Sequence, residues 1–402
     1  MLKLKLLLAF FLLSTFVNAQ TLGLNQSKYW DYRAELKTHF VKIGEGKGKS
    51  IPAEYFNPKK GRLHWGDGTM ALGWYIGVLA TEYHLSSKKG YVETGEGKEI
   101  DPVQTLLELS NALLAVDRLD RKAEPFFDKN AAEDLNGFLI RDDVGTEHEK
   151  DFPKDIKYID SDYLSENPYS NEMSHDQTYE LMIGLSLVKN FIPENTQVGG
   201  LFLNQMAVDQ ATRILSKLSE NNWRLRNPVV KDSRGKKGKK VLRGHQSYIY
   251  SRGIKKMLRF FSDKKMKSAT IFDMYWYTLR SGLNPTFASN SNSSMALAVT
   301  AVGNGFNENS YRKLIKRSKR HDWFFYPLLN KALYPLNRDI DFPILEKSQA
   351  LIDEAPSDGI KSNFNREVSH GWGVNNRFYK FKKSQYAGKP YQVDREYNGL
   401  DF

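Results

Sequence analysis

Three stretches of this chain are apolar on nearly every side over about the length of a helix. They are "MALGWYIGVLATEYHL" at residues 70–85, "YELMIGLSLV" at 179–188 and the shorter "MALAVTAV" at 295–302. A helix with no polar face has no side to offer water, so each is expected inside, walled by other helices. Between them lie segments of the opposite kind. In residues 201–218, Leu201, Met206, Ile214, Leu215 and Leu218 recur at helical spacing, while Asp209, Arg213 and Lys217 fall between them. Residues 101–121 open on Asp101-Pro102, an N-cap followed by a proline in the first turn. Further helices are expected over 268–283, 309–317 and 323–333, and the one clear alternating run is "HQSYIYSR" at 245–252.

Buried helices alternating with amphipathic ones predict a mainly α chain folded as an α/α toroid, a double ring in which inner helices are walled by outer ones. Few short strands are expected. The toroid should span residues 20–340, with an irregular, polar and aromatic C-terminal segment, 341–402, packed on it. In such a ring the inner helices run parallel, and the loops entering their N-termini converge on one rim.

The first residues change the setting. Lys3 and Lys5, the apolar run from Leu6 to Phe16 and the small-residue site Val17-Asn18-Ala19 have the layout of a secretory signal, residues 1–19. No later segment is long and apolar enough for a membrane anchor, and there is no cysteine for disulfides or lipid attachment. A periplasmic or extracellular location is expected. The net charge is +12, still basic without Lys3 and Lys5, which suits a polyanionic partner such as an acidic oligosaccharide or polysaccharide. Nucleic-acid modules, phosphate-cradling glycine loops, dinucleotide fingerprints and zinc-protease or serine-hydrolase signatures are missing. The basic run at 231–244 is expected as an exposed loop.

Each apolar helix is entered through a polar cluster: "HWGDGT" at 64–69, "NEMSHDQ" at 171–177 and "FASNSNSS" at 287–294. Capping explains part of this. Ser174 with Gln177 fits a capping box, and Asp67, Thr69, Asp176, Asn292 and Ser293 could each cap a helix. Three such mouths on one rim would bring His64, Trp65, Asp67, His175, Asp176, Gln177, Asn290 and Asn292 around a single pocket, where helix N-termini favour anions. Two more stretches carry candidate chemistry. "RGHQSYIYSRG" supplies His245, Tyr248, Tyr250 and Arg252, and "SHGWG" supplies His370 and Trp372 as a sugar-stacking lip. The loop "NGFLIRDDVGTEHEKDF" holds Asp142, Asp143, Glu147 and His148 without an established metal-ligand spacing, so a solvated loop is expected there.

These parts suit β-elimination on a uronic acid without a cofactor or a metal. His245 or His175 would take the C5 proton and Tyr248 or Tyr250 would return one to the oxygen leaving C4. Arg252, with Asn290 or Asn292, would meet the charge building on the carboxylate. The alternatives are glycoside hydrolysis by paired carboxylates, Asp67, Asp176 or Asp142 with Asp143, and non-catalytic glycan binding.

The signal peptide, "HWGDGTMALGWYIG", "NGFLIRDD" and "EMSHDQ" together resemble secreted α/α-toroid proteins of marine Bacteroidetes polysaccharide-utilisation systems, over roughly residues 60–190. More narrowly, the chain is similar in size and character to oligosaccharide dehydratases of ulvan degradation. That resemblance implies a lyase removing water from a non-reducing-end glucuronate to give a 4,5-unsaturated sugar.

Overall fold

A computed structural model describes residues 25–57, 60–87, 101–166 and 168–221, with short pieces between 225 and 398. The described part is mostly helical with a few short strands. The expected helices at 268–283, 295–302, 309–317 and 323–333, and the strand at 245–252, lie outside the described residues, apart from single helical positions such as Leu329.

Five helices build the described body: α1 (25–35), continued by a π-helical turn over Leu36–Phe40, α2 (Gly68–Ser86), α3 (Pro102–Phe127), α4 (His175–Phe191) and α5 (Leu203–Glu220). The starts of α3 and α4 follow local chemistry. Asp101 accepts the Val103 N–H at 2.8 Å, ahead of a proline that has no N–H to satisfy. Ser174 and Gln177 form the reciprocal capping box.

The two apolar helices lie side by side and parallel. Thr69 of α2 meets Gln177 of α4, Trp74 meets Glu180, and His84 stacks on Phe191. Glycine permits this closeness. A Cβ on Gly73 would lie 2.6 Å from the Glu180 carbonyl, and one on Gly184 would lie 2.2 Å from the Gly73 oxygen, so the backbones touch where any side chain would collide. Residues 177–188 of α4 are all buried, whereas α2 keeps a half-buried line at Met70, Trp74, Val78 and Thr81.

The amphipathic helices form a second layer running the other way. Tyr75 and Glu82 of α2 bond to Glu108 and Thr105 of α3, an antiparallel order. Between α3 and α5, Gln210 bonds to Asp117, Arg213 to Asp120 and Lys217 pairs with Glu124, a parallel one. Among the described residues, the apolar helices α2 and α4 thus run parallel, and the amphipathic α3 and α5 run opposite to them.

A small sheet closes the end where α2 and α4 begin. Strand β1 (Tyr55–Asn57) pairs antiparallel with β2 (Arg62–His64), which pairs parallel with β3 (Tyr158–Asp160). On its other side β1 pairs with the C-terminal strand Tyr397–Asn398. Leu63 and Ile159 are register partners and both buried, so the next pair, His64 and Asp160, faces the other way together. Among the described residues, no helix is long and apolar enough to cross a membrane.

Candidate functional site

The two polar mouths predicted at residues 64–69 and 171–177 do meet. Neither Asp67 nor Thr69 caps α2, contrary to the capping expectation; both turn across to α4 instead. Gln177 is the junction. Its Oε1 accepts from Thr69 Oγ1 at 3.0 Å and from the Ser174 backbone N–H at 3.1 Å, and its Nε2 donates to Asp67 Oδ1 at 2.6 Å. The Gln177 side chain is wholly buried, so it ties the helices together and has no amide edge for a substrate.

Around this junction lies a half-open ring of charge. Arg141 reaches it from the loop after α3. Its Nη1 donates to the Gly66 carbonyl at 2.7 Å and to Asp162 Oδ2 at 3.0 Å, and lies 3.6 Å from Asp67 Oδ1. Its Nε donates to the Glu172 carbonyl at 2.7 Å. His64 sits beside it, with Nδ1 3.1 Å from Asp160 Oδ2 and Nε2 3.8 Å from Glu54 Oε2. Asp160 also accepts from Arg62 at 3.1 Å. A Cβ on Gly66 would lie 2.3 Å from His64 Nε2, so the imidazole turns its Nε2 edge towards Gly66 and would have to shift if a side chain were added there.

The access is uneven. The Asp67 and Asp160 side chains are 37% and 38% exposed, whereas Asp162 and Arg141 are mostly covered. Burial pushes the Asp162 carboxyl above its usual value, an effect that the Arg141 guanidinium and His64 only partly offset. Four carboxylates, Glu54, Asp67, Asp160 and Asp162, face Arg62, Arg141 and His64 here. Among the described residues the mouth is therefore richer in acid than the basic composition suggested.

Three expectations are corrected. Trp65 is no stacking platform: it is fully buried, edge-on to Phe152, and gives its indole N–H to the Ile51 carbonyl at 3.0 Å. Gln177 is a strut between helices and does not line a pocket. The 136–152 loop is not solvated around its acids: Asp142 and Asp143 are buried, and Asp143 pairs with Arg118 of α3 at 2.7 Å. That removes Asp142 and Asp143 as a catalytic pair open to a sugar. No cluster of potential metal ligands is found among the described residues.

His175 and Asp176 occupy the first turn of α4, beside this ring by backbone position. His245, Tyr248, Tyr250, Arg252, Asn290, Asn292, His370 and Trp372 lie outside the described residues. Glu54, Arg62, Arg141, Asp160 and Asp162 are the members that the mouth motifs did not announce. Arg141 stood beside Asp142 in a loop segment already singled out, but Asp160 joins only through the β2–β3 pairing, almost a hundred positions from its partners.

No protein-family model matches this chain, no curated protein matches it, and no solved structure matches it.

Proposed function

We propose that this chain is a secreted carbohydrate-active enzyme that performs β-elimination on a uronic acid of an acidic oligosaccharide. In this reading its helices close into an α/α toroid, and the reactive mouth lies where α2 and α4 begin. The observation that carries it is a histidine close to a carboxylate, His64 Nδ1 at 3.1 Å from Asp160 Oδ2, beside the Arg141 guanidinium where two helices begin. A histidine beside a carboxylate is suited to take the proton alpha to a carboxylate, and the nearby arginine and helix ends favour the charge that develops there.

The chemistry is balanced within the substrate. The C5–H and C4–O bonds break, a C4=C5 double bond forms, the base keeps the C5 proton, and an acid returns one to the departing oxygen. His64 joins His175 and His245 as candidate bases. Tyr248 or Tyr250 would serve as the acid, and Arg252 with Asn290 or Asn292 would hold the carboxylate. Whether water or a sugar departs separates dehydration from chain cleavage. Residues 1–19 would direct the protein to the periplasm or beyond the cell.

The test is incubation of the mature protein with uronate-containing oligosaccharides, those of ulvan first, followed by ultraviolet absorbance and product mass. A new unsaturated sugar supports elimination, and its mass distinguishes loss of water from scission. Unchanged absorbance with unchanged masses for every acidic oligosaccharide offered would overturn the reading.

A second reading, glycoside hydrolysis, is favoured by one specific pair. Asp162, pushed up by burial, and the more exposed Asp67 flank the same guanidinium nitrogen of Arg141. One carboxyl biased towards the acid form beside another open to water is the division of labour that hydrolysis needs. New reducing ends without ultraviolet absorbance would select it.

A further inference from the structure

Behind the mouth, Asp142 poses a problem of hydrogen counting. Its carboxyl is fully buried. Oδ1 accepts the Val144 N–H at 3.0 Å and lies 2.7 Å from Ser161 Oγ, and Oδ2 accepts the Asp162 N–H at 3.1 Å. Ser161 Oγ also lies 2.8 Å from the Val144 carbonyl oxygen and accepts the Tyr163 N–H at 3.1 Å. A serine hydroxyl has one hydrogen, and a carbonyl can only accept. With Asp142 ionised, that single hydrogen faces two acceptors, and one short oxygen–oxygen contact has none between its atoms. A proton on Asp142 satisfies everything: Oδ1–H donates to Ser161 Oγ, and Ser161 donates to the Val144 carbonyl.

We propose that Asp142 is a proton-carrying positioning residue, whose neutral carboxyl, chained through Ser161, locks together the two loop segments that present Arg141 and Asp162 to the mouth. Deprotonation breaks that chain and loosens both segments. The surroundings favour the neutral form. Asp143 and Asp162 are its charged neighbours, and Arg118 on α3 is taken by Asp143. The Arg141 guanidinium turns to Asp162, and Glu172 follows on the far side of the bridge to Ile140. On the α2 side, Asp67 bonds to Gln177, and Gly68 backs onto Asp142 so closely that a Cβ there would lie 3.1 Å from the Asp142 Cβ. No cation among the described residues bonds to the Asp142 carboxylate. Burial, partly offset by the Val144 N–H and Ser161, pushes Asp142 up to about 7. The lock would thus open near neutrality.

The sign of the effect on stability follows. A carboxyl held neutral in the folded state and ionised from about pH 4 in the unfolded chain makes the folded protein less stable as pH rises from about 4 to about 7, and the loss then levels off. The effect on turnover rests on the proposed function, but the proton itself does not. The experiment labels aspartate carboxyl carbons in the mature protein and follows them, together with the Arg141 side-chain Nε–H, by nuclear magnetic resonance from pH 4 to 9. One buried aspartate titrating near 7, missing in Asp142→Asn, with Arg141 moving at the same midpoint, is the expected result. Asp142→Asn should also lessen the fall in thermal midpoint between pH 4 and 7, most of all its part above pH 6, and, with an active oligosaccharide, remove the several-fold rise in KM above pH 7. An Asp142 carboxyl already ionised at pH 5 in wild type overturns the proposal even if the variant does not fold. An Arg141 signal that ignores the titration overturns the positioning role. Absence of turnover on every oligosaccharide, with both resonances behaving as described, instead refutes the enzymatic reading and leaves the lock standing.

Discussion

Helix α2 carries a polar cluster at each end, and the two are built on opposite terms. At its start the ring of His64, Asp67, Arg141, Asp160 and Asp162 stays partly open to water. Towards its end, Arg33 from α1 lies between two buried carboxylates, bonding Glu82 at 2.7 Å and Glu108 at 2.8 Å. Tyr75 donates to Glu108 at 2.9 Å, Thr105 donates to Glu82 at 2.6 Å, and Lys37 pairs with Glu108 at 2.8 Å. The Glu108 side chain is 1% exposed. Burial would push its carboxyl up, yet Arg33 and Lys37 outweigh that and hold it below its usual value. Similar residue types thus form a sealed clamp, fastening α1 onto α2 and α3, and an accessible mouth. What separates them is exposure to water, over a third for the Asp67 and Asp160 side chains and almost none for Glu108, and composition does not encode that.

Substitutions can break this distinction. Glu108→Ala should cost the most stability, about 3–5 kcal/mol in urea unfolding, because Arg33 would be left buried with half its compensation. A loss under about 1 kcal/mol would mean the clamp is not tightly coupled. Asp160→Asn, at the mouth, should leave stability within about 1 kcal/mol, as for an exposed ion pair, while, on the proposed function, lowering turnover of a uronate oligosaccharide by about 10²–10⁴-fold. Should it unfold the protein as badly as Glu108→Ala, the mouth is a second clamp. Gln177→Met, which deletes the bonds to Asp67 and Thr69, should cost about 1–3 kcal/mol by thermal melting. Smallest of all, Lys37→Met removes a cation that is still partly solvated and should change the unfolding free energy by less than about 1 kcal/mol.

The helices of the inner layer were legible because nothing in residues 70–85 or 179–188 could face water, and α3 because Asp101-Pro102 announces a start. Helix α1 was not legible: residues 25–35 mix aromatics with charges, and contacts with distant elements, the Arg33 ion pairs and the Tyr29 bond to Glu82 among them, decide which face is inside. The strands could not be read either, since three residues cannot display a period. The site was half legible. His64 and Asp67 stand in a motif, but Trp65 and Gln177 stand in the same motifs and turned out to be core and strut. A buried polar side chain and a part-exposed one look alike until their partners are known. Asp160 and Asp162 arrive through strand pairing, which leaves no mark on local sequence.

The contact between Gly73 and Gly184 has a mechanical consequence. Two helices whose main chains touch cannot slide past each other without a collision, so α2 and α4 behave as one stiff beam. The polar junction at their starts then rests on a fixed base, and any motion there falls to the segments hung around it.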